Sequence, residues 1–298
     1  MTGSVTSNSV RLRFFLPPAD LQPFVTTLYQ METGADVADP IEDRLHPEWA
    51  NIRLLTRGSF EAAIGDADYA TMPPAILVGP TSHATRFRAG DAESWGIGLL
   101  PLGWSRIVDL PASDYADRVA DMGNDPALAR LAPLVGCLHK ERGDPAAFRD
   151  CLIGALRDVL ISPQARDAEI VRLEHALVDP AVHSVAELGE RAGLKPRKLE
   201  RLCKQAFGFP PQLLLRRQRF LRSLAQFMLD PSLKWIETLD SHYHDQAHFV
   251  RDFKRFMGMS PSVYAHLPHP VLGAAAHARK AIAGEAVQVL HRPPDKAL

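Results

Sequence analysis

Residues 199–211 read LERLCKQAFGFPP, and residues 249–261 read FVRDFKRFMGMSP. At an offset of 50 residues, Leu199, Arg201, Cys203, Lys204, Gly208 and Pro211 meet Phe249, Arg251, Phe253, Lys254, Gly258 and Pro261. Each block runs apolar-x-Arg-x-apolar-Lys-x-x-x-Gly-x-x-Pro. An internal repeat suggests one structural unit used twice. At about 100° per residue, Leu199, Leu202, Cys203 and Ala206 share one helix face, with Arg197, Glu200, Arg201 and Lys204 opposite. In the second copy Phe249, Phe253 and Phe256 form the apolar stripe, while Ala247, Arg251 and Lys254 point away. The apolar faces must pack, so the basic faces must look outward. A single basic stripe is ordinarily a solvated surface. Its recurrence at matched positions points to two helices offered to one extended partner, such as successive grooves of a duplex.

Local signals frame each copy. Ser184-Val185-Ala186-Glu187 is a capping box that predicts a helix start near 185. Ala192-Gly193-Leu194 supplies a tight turn, with glycine free to take positive φ. Pro196 suits the first position of the next helix, where no donor is needed. Helix, glycine turn, helix is the helix-turn-helix pattern, whose second helix enters the major groove. Asp245 is a good N-cap for a helix starting at Gln246. Between the copies, Pro211 to Leu229 reads as one long helix carrying Arg216, Arg217, Arg219 and Arg222.

Residues 182–265 resemble the DNA-binding domain of the AraC family of transcription regulators. The residues that carry the likeness are Ser184-Val185-Ala186-Glu187-Leu188, Ala192-Gly193-Leu194, Leu199-Glu200-Arg201-Leu202, Gly208, the long helix, Tyr243-x-Asp245-Gln246-Ala247-His248-Phe249-x-Arg251-x-Phe253-Lys254, and Gly258-x-Ser260-Pro261. The resemblance covers a little over a quarter of the chain. It implies two helix-turn-helix units, joined by a helix, that insert recognition helices into adjacent major grooves of double-stranded DNA. Lys195 departs from the pattern where Ser or Thr is usual, and Cys203 where Phe is usual. The segment Leu233 to Ser241 is about one residue short for its helix, with Trp235 at a small-residue position. His242 replaces a turn glycine.

Charge is unevenly placed. The chain has formal net charge −1, but residues 168–266 hold 15 Lys/Arg against 11 Asp/Glu, net +4, leaving −5 elsewhere. Ten basic residues and one acidic residue, Glu200, lie between Arg191 and Arg222. Phosphate contacts need such a concentration, because counterion release supplies most non-specific affinity. Cys137, Cys151 and Cys203 lack metal-ligand spacing and cannot all pair internally. Small buried apolar residues in a reducing cytoplasm is the reading they favour. No apolar run approaches ~18 residues, so no membrane span is expected. Met1 to Val10 is polar, unlike a signal peptide, and is expected to be disordered.

Residues 11–110 carry short candidate strands at Asn51–Thr56, Ser59–Ile64, Ala75–Val78, Thr85–Arg88 and Trp95–Leu100. Gly and Pro turns punctuate them, as in an antiparallel sandwich or barrel. The AraC resemblance implies a cupin-like barrel that binds a small effector. Residues 111–163 turn helical. Leu128, Leu131, Leu134, Val135 and Leu138 form one stripe; Phe148, Cys151, Leu152, Ala155 and Leu156 form another. Gly143-Asp144-Pro145 between them predicts an antiparallel pair. The stripes serve either a homodimer face or packing on the chain's own barrel. Residues 269–298 form an extension with a helix expected over Gly273–Leu290 and no assigned function.

The fold class expected is α+β, with a β-rich sensory domain at 11–110, helices at 111–163 and an all-α DNA-binding domain at 164–268. A metal cupin needs His-x-His with further ligands; here His46 and Glu48 are two apart and His83 stands alone. Neither a P-loop, nor GxGxxG, nor GxSxG occurs. The expectation is a cytoplasmic, effector-responsive transcription regulator rather than an enzyme, without cofactor or metal. Its partners would be duplex DNA, an unidentified small-molecule effector, and RNA polymerase and a second copy as candidates. Arg197, Glu200, Arg201 and Lys204 would serve the first groove, and Gln246, Ala247, His248, Arg251 and Lys254 the second. Arginine can bind guanine bidentately and glutamate can accept from cytosine, while lysine holds phosphate. The rival is a cupin-type enzyme carrying a DNA-binding module.

Overall fold

The computed structural model describes residues 2–6, 10–34, 39–140, 143–230, 237–243 and 245–292. Its first half is a set of short antiparallel strands: β1 (Thr2–Thr6), β2 (Val10–Phe15), β3 (Val25–Thr33), β4 (Ile41–Leu45), β5 (Ala50–Arg57), β6 (Phe60–Ile64), β7 (Ala70–Thr71), β8 (Ala75–Val78), β9 (Thr85–Ala89), β10 (Ala92–Leu99) and β11 (Val119–Asp121). They form one sheet of order β1-β2-β3-β10-β5-β8-β11 and a smaller one of order β4-β9-β6-β7. The sheets are open and do not close into a barrel. The alternating side-chain period explains their faces. In β2, Val10, Leu12 and Phe14 are buried, while Arg11 and Arg13 turn out to pair with Glu32 across the strand. In β9, Thr85, Phe87 and Ala89 are buried and Arg86 and Arg88 turn outward. The N-terminus differs from expectation. Backbone pairing from Thr2↔Phe15 to Thr6↔Arg11 makes it an edge strand, because β2 offers it a free ladder.

The opposite face of the large sheet is covered by helices. After α1 (Pro101–Gly103) and a π-helical turn at Trp104–Val108 come α2 (Ala132–Lys140) and α3 (Pro145–Val159). Asp144 caps α3 by accepting from the Ala146 amide at 2.8 Å. Leu128, Leu131, Leu134, Phe148, Leu152 and Leu156 pack on Ile52, Leu54, Trp95 and Ile97 in one core. Both predicted stripes thus pack within the chain itself, with Val135, Leu138 and Cys151 only partly covered. Cys137 and Cys151 are joined as a disulfide that staples α2 to α3, which corrects the reading of three separate thiols. Cys203 is free and buried, and burial raises its pKa to about 12.

The second half is helical: α4 (Asp167–Val178), α5 (Val185–Ala192), α6 (Pro196–Phe207), α7 (Pro211–Leu229), α8 (Gln246–Met257), α9 (Pro261–His266) and α10 (Leu272–Ala283). Its core continues into the first half through Trp49, Ala84, Leu100 and Leu102. Trp49 meets Phe207 edge to face, with centroids 5.5 Å apart. Arg217 of α7 is fully buried, stacked 4.2 Å from the Trp49 ring, and donates to the carbonyls of Thr81 (2.8 Å) and Glu48 (3.3 Å). Desolvation lowers its pKa to about 9. The extension is not one helix. Gly284, at φ +79°, ends α10, and Gln288–Leu290 forms a short 3-10 turn.

Candidate nucleic-acid interface

The first unit is α5 and α6. Ser184 accepts from the Glu187 amide at 3.2 Å while the Glu187 carboxylate accepts from the Ser184 amide at 3.3 Å, completing the capping box. Gly193 ends α5 at φ +67°, a conformation only glycine takes without penalty. Pro196 opens α6, and Lys195 makes no side-chain cap. Leu199, Leu202, Cys203, Ala206 and Phe207 are buried, and Arg197, Arg201 and Lys204 are exposed. Glu200 lies 3.1 Å from Lys204, an i,i+4 ion pair on the exposed face of α6.

The second unit presents α8. Asp245 caps it through the His248 amide at 2.6 Å. Phe249, Phe253 and Phe256 are buried, while Gln246, Ala247, Arg251, Lys254 and Arg255 are exposed. Arg255 is a basic surface residue that the repeat alone did not single out. Gly208 and Gly258 end the two helices at φ +83° and +73°, and Pro211 and Pro261 start the next, so the repeat holds down to its caps. The first four residues of the helix expected at Leu233–Ser241, Trp235 among them, lie outside the described residues. Residues 239–243 are not helical, and His242 stacks on His183 of the first unit with centroids 4.6 Å apart.

Two sequence-based placements change. His248 is half-buried. Its Nε2 accepts from Arg219 at 3.2 Å, and burial followed by the Arg219 charge lowers its pKa. It braces α8 more than it presents a free edge. The linker arginines also turn inward. Arg216 and Arg219 bond the fully buried Asp252, and Arg222 bonds Asp240. With Arg217, four of the ten basic residues counted between Arg191 and Arg222 hold the fold together.

A second feature lies in the β-rich half. A cavity of about 120 Å³ sits between the sheets, with Leu12, Phe14, Met31 and Phe87 among its walls. Its polar side is Tyr29 of β3, Asn51 and Arg53 of β5, and Glu48 of the loop before β5. Arg53 bonds Glu48, and its Nε donates to the Tyr29 hydroxyl at 3.1 Å. Asn51 donates to Glu48 at 3.1 Å. The remaining wall is the C-terminal extension. Val271, Leu272, Ala275, Ala276, Arg279 and Gln288 close it. Asp43 anchors that wall by accepting from the amides of Val271 and Leu272, both at 2.9 Å. His46, at the cavity edge, bonds the Tyr264 hydroxyl at 2.9 Å, and burial lowers its pKa to about 4. Among the described residues, no group of three His, Cys, Asp or Glu side chains is arranged to hold a metal.

A family profile described as a helix-turn-helix domain matches residues 188–266. Residues 188–266 thus carry a helix-turn-helix domain. The matched span runs from α5 to the end of α9 and so contains both repeats. No curated protein sequence matches the chain. Among solved structures, the AraC-like transcriptional activator CuxR is similar at 15% identity and a TM-score of 0.32, over 73% of this chain and 81% of its own. ToxT from Vibrio cholerae is similar at 11% identity and a TM-score of 0.43, over 87% and 98%. ToxT from strain O395, bound to (E)-4-(8-methylnaphthalen-1-yl)but-3-enoic acid, is similar at 12% and 0.43, over 80% and 96%.

Proposed function

We propose that this AraC-type regulator binds specific DNA sites by inserting α6 and α8 into adjacent major grooves, with a small effector received in the β-rich half. The observation that carries this reading is the matched pair of helices, each with its apolar face buried and its basic face exposed. Arg197, Arg201 and Glu200 read or anchor the first groove with Lys204 on phosphate. Gln246, Ala247 and Arg251 serve the second with Lys254, and His248 supports from behind. A mostly apolar cavity with a few convergent polar groups is the usual form of a small-molecule site. The cavity between the sheets supports reading it as the effector site.

The rival enzyme reading draws no support from the cavity. His46 is held by Tyr264, and His83 sits at the surface near Ser82 and Asp117. The protein acts by binding, without catalysis. No described helix is long and apolar enough to cross a membrane. RNA polymerase is a further partner of this reading. A homodimer would use surfaces other than the α2 and α3 stripes, which already pack within the chain.

Fluorescence anisotropy with the full chain and labelled duplexes tests the proposal. Affinity falls steeply between ~50 and ~200 mM salt, as release of several phosphate counterions requires. A folded protein that binds no duplex at low salt overturns the reading.

A further inference from the structure

The cavity has a charge that its fold does not need. Its ionic groups are Arg53, Glu48 and Arg279, with His46 at the edge. Arg53 and Glu48 bond each other and so cancel in charge, with Tyr29 accepting from Arg53 Nε and Asn51 donating to Glu48. His46 is neutral at physiological pH, because burial lowers its pKa to about 4. That leaves Arg279. Its residue is only 8% exposed, on α10 of the extension. Its one hydrogen bond among the described residues goes from Nη2 to Thr27 Oγ1 at 2.9 Å, and it makes no ion pair. Its guanidinium carbon lies 5.5 Å from the centre of the Phe14 ring, a cavity wall.

A buried guanidinium with five N–H donors and one neutral acceptor is costly unless something completes it. A planar carboxylate matches its fork. Size limits the rest of the ligand. A cavity of about 120 Å³ is somewhat smaller than the ~150 Å³ engineered cavity that accepts benzene. Phe14, Phe87, Met31 and Leu12 offer it apolar surface.

We propose that the cavity binds a small monocarboxylate with a compact apolar body, and that Arg279 of the C-terminal extension is the residue that grips its carboxylate. This rests on reading the cavity as the effector site and adds the ligand's chemical class and the residue that selects it. The extension lies outside the helix-turn-helix match, so the specificity belongs to this chain's own tail. The same tail is tied to the DNA-binding half, because Gln218 of α7 donates to the Val289 carbonyl at 2.9 Å and Tyr264 of α9 stacks on His269 at 4.2 Å.

Titration calorimetry on the full chain with butyrate and its neutral isostere butyramide tests this. Butyrate binds saturably, and butyramide binds at least about tenfold more weakly, the factor expected from losing a charged hydrogen bond. Arg279→Gln removes that preference. Ala275→Leu, which fills the cavity from the tail, abolishes binding of both probes. Equal binding of the two probes, no saturable butyrate binding, or a preference that survives Arg279→Gln overturns the proposal. The wild-type comparison decides even where a variant fails to fold. Duplex affinity measured without probe reports on the regulator reading separately, so either claim can fail alone.

Discussion

Asp252 lies at the base of α8 with none of its surface exposed, and Arg216, Arg219 and the Tyr243 hydroxyl all bond it. Removing a buried charge from such a cluster strands its partners. Asp252→Ala should therefore lose about 3–5 kcal/mol in urea denaturation. Glu174 is the opposite case. It is fully buried on α4, and neither carboxyl oxygen has a hydrogen-bond partner. Burial holds its pKa well above the ordinary range. Glu174→Leu should raise stability at neutral pH by about 1–3 kcal/mol, the cost of an unsatisfied buried polar group. The folded protein holds this proton more tightly than the unfolded chain does. Wild-type stability should rise relative to Glu174→Leu as pH falls from ~7 toward ~5, with the gap reopening as pH rises through the folded pKa. Denaturation series across that range show whether the gap closes. Neither role was legible from sequence. Asp252 and Glu174 sit in charge-rich stretches, where composition counts them as surface.

At the scale of elements, the two reading helices share a stop signal but differ in what surrounds it. Gly208 and Gly258 both take positive φ. A Cβ on Gly258 would meet nothing within 4 Å, whereas one on Gly208 would lie 3.0 Å from Pro80 Cγ of the β-rich half. Gly258→Ala should cost about 1–2 kcal/mol, the left-handed penalty alone, and Gly208→Ala more. Equal losses in a thermal or urea melt would mean that the first unit does not pack on the β-rich half. Most element boundaries here were readable. Capping residues, Pro starts and glycine stops are local, and they placed α5, α6, α7 and α8 within a residue. The five strands foreseen after Asn51 were also correctly placed, because Gly and Pro turns separate them. Strands β2 to β4 were not foreseen. In β3, Thr26, Thr27 and Gln30 are buried alongside Val25 and Leu28, so the polar-apolar alternation that marks a strand is blurred.

The whole molecule is held by joints that span its halves, and these are where sequence reading stopped. Arg217 belongs to a basic helix by its neighbours, yet it docks under Trp49, a contact between residues 168 apart in the chain. The extension carried no motif at all, because its role comes from closing a cavity built by distant strands. The Cys137–Cys151 bridge closes a loop with a sequence separation of 14. Its reduction should lower stability by about 3 kcal/mol, a loss that denaturation with and without dithiothreitol measures. Cys203, buried and with a raised pKa, should resist alkylation until the protein unfolds. The central claim, that two equivalent helices read adjacent grooves, is a claim about all of these joints together, since they set where α6 and α8 stand. It is tested most directly by selecting binding sites from random duplexes with the full-length wild type, Arg201→Ala and Arg251→Ala. Two clusters of base preference, about 10 base pairs apart, should emerge for the wild type. Each mutant should relax one cluster and spare the other, at a cost of ~1–3 kcal/mol in affinity. Preferences left unchanged by both substitutions would contradict the account.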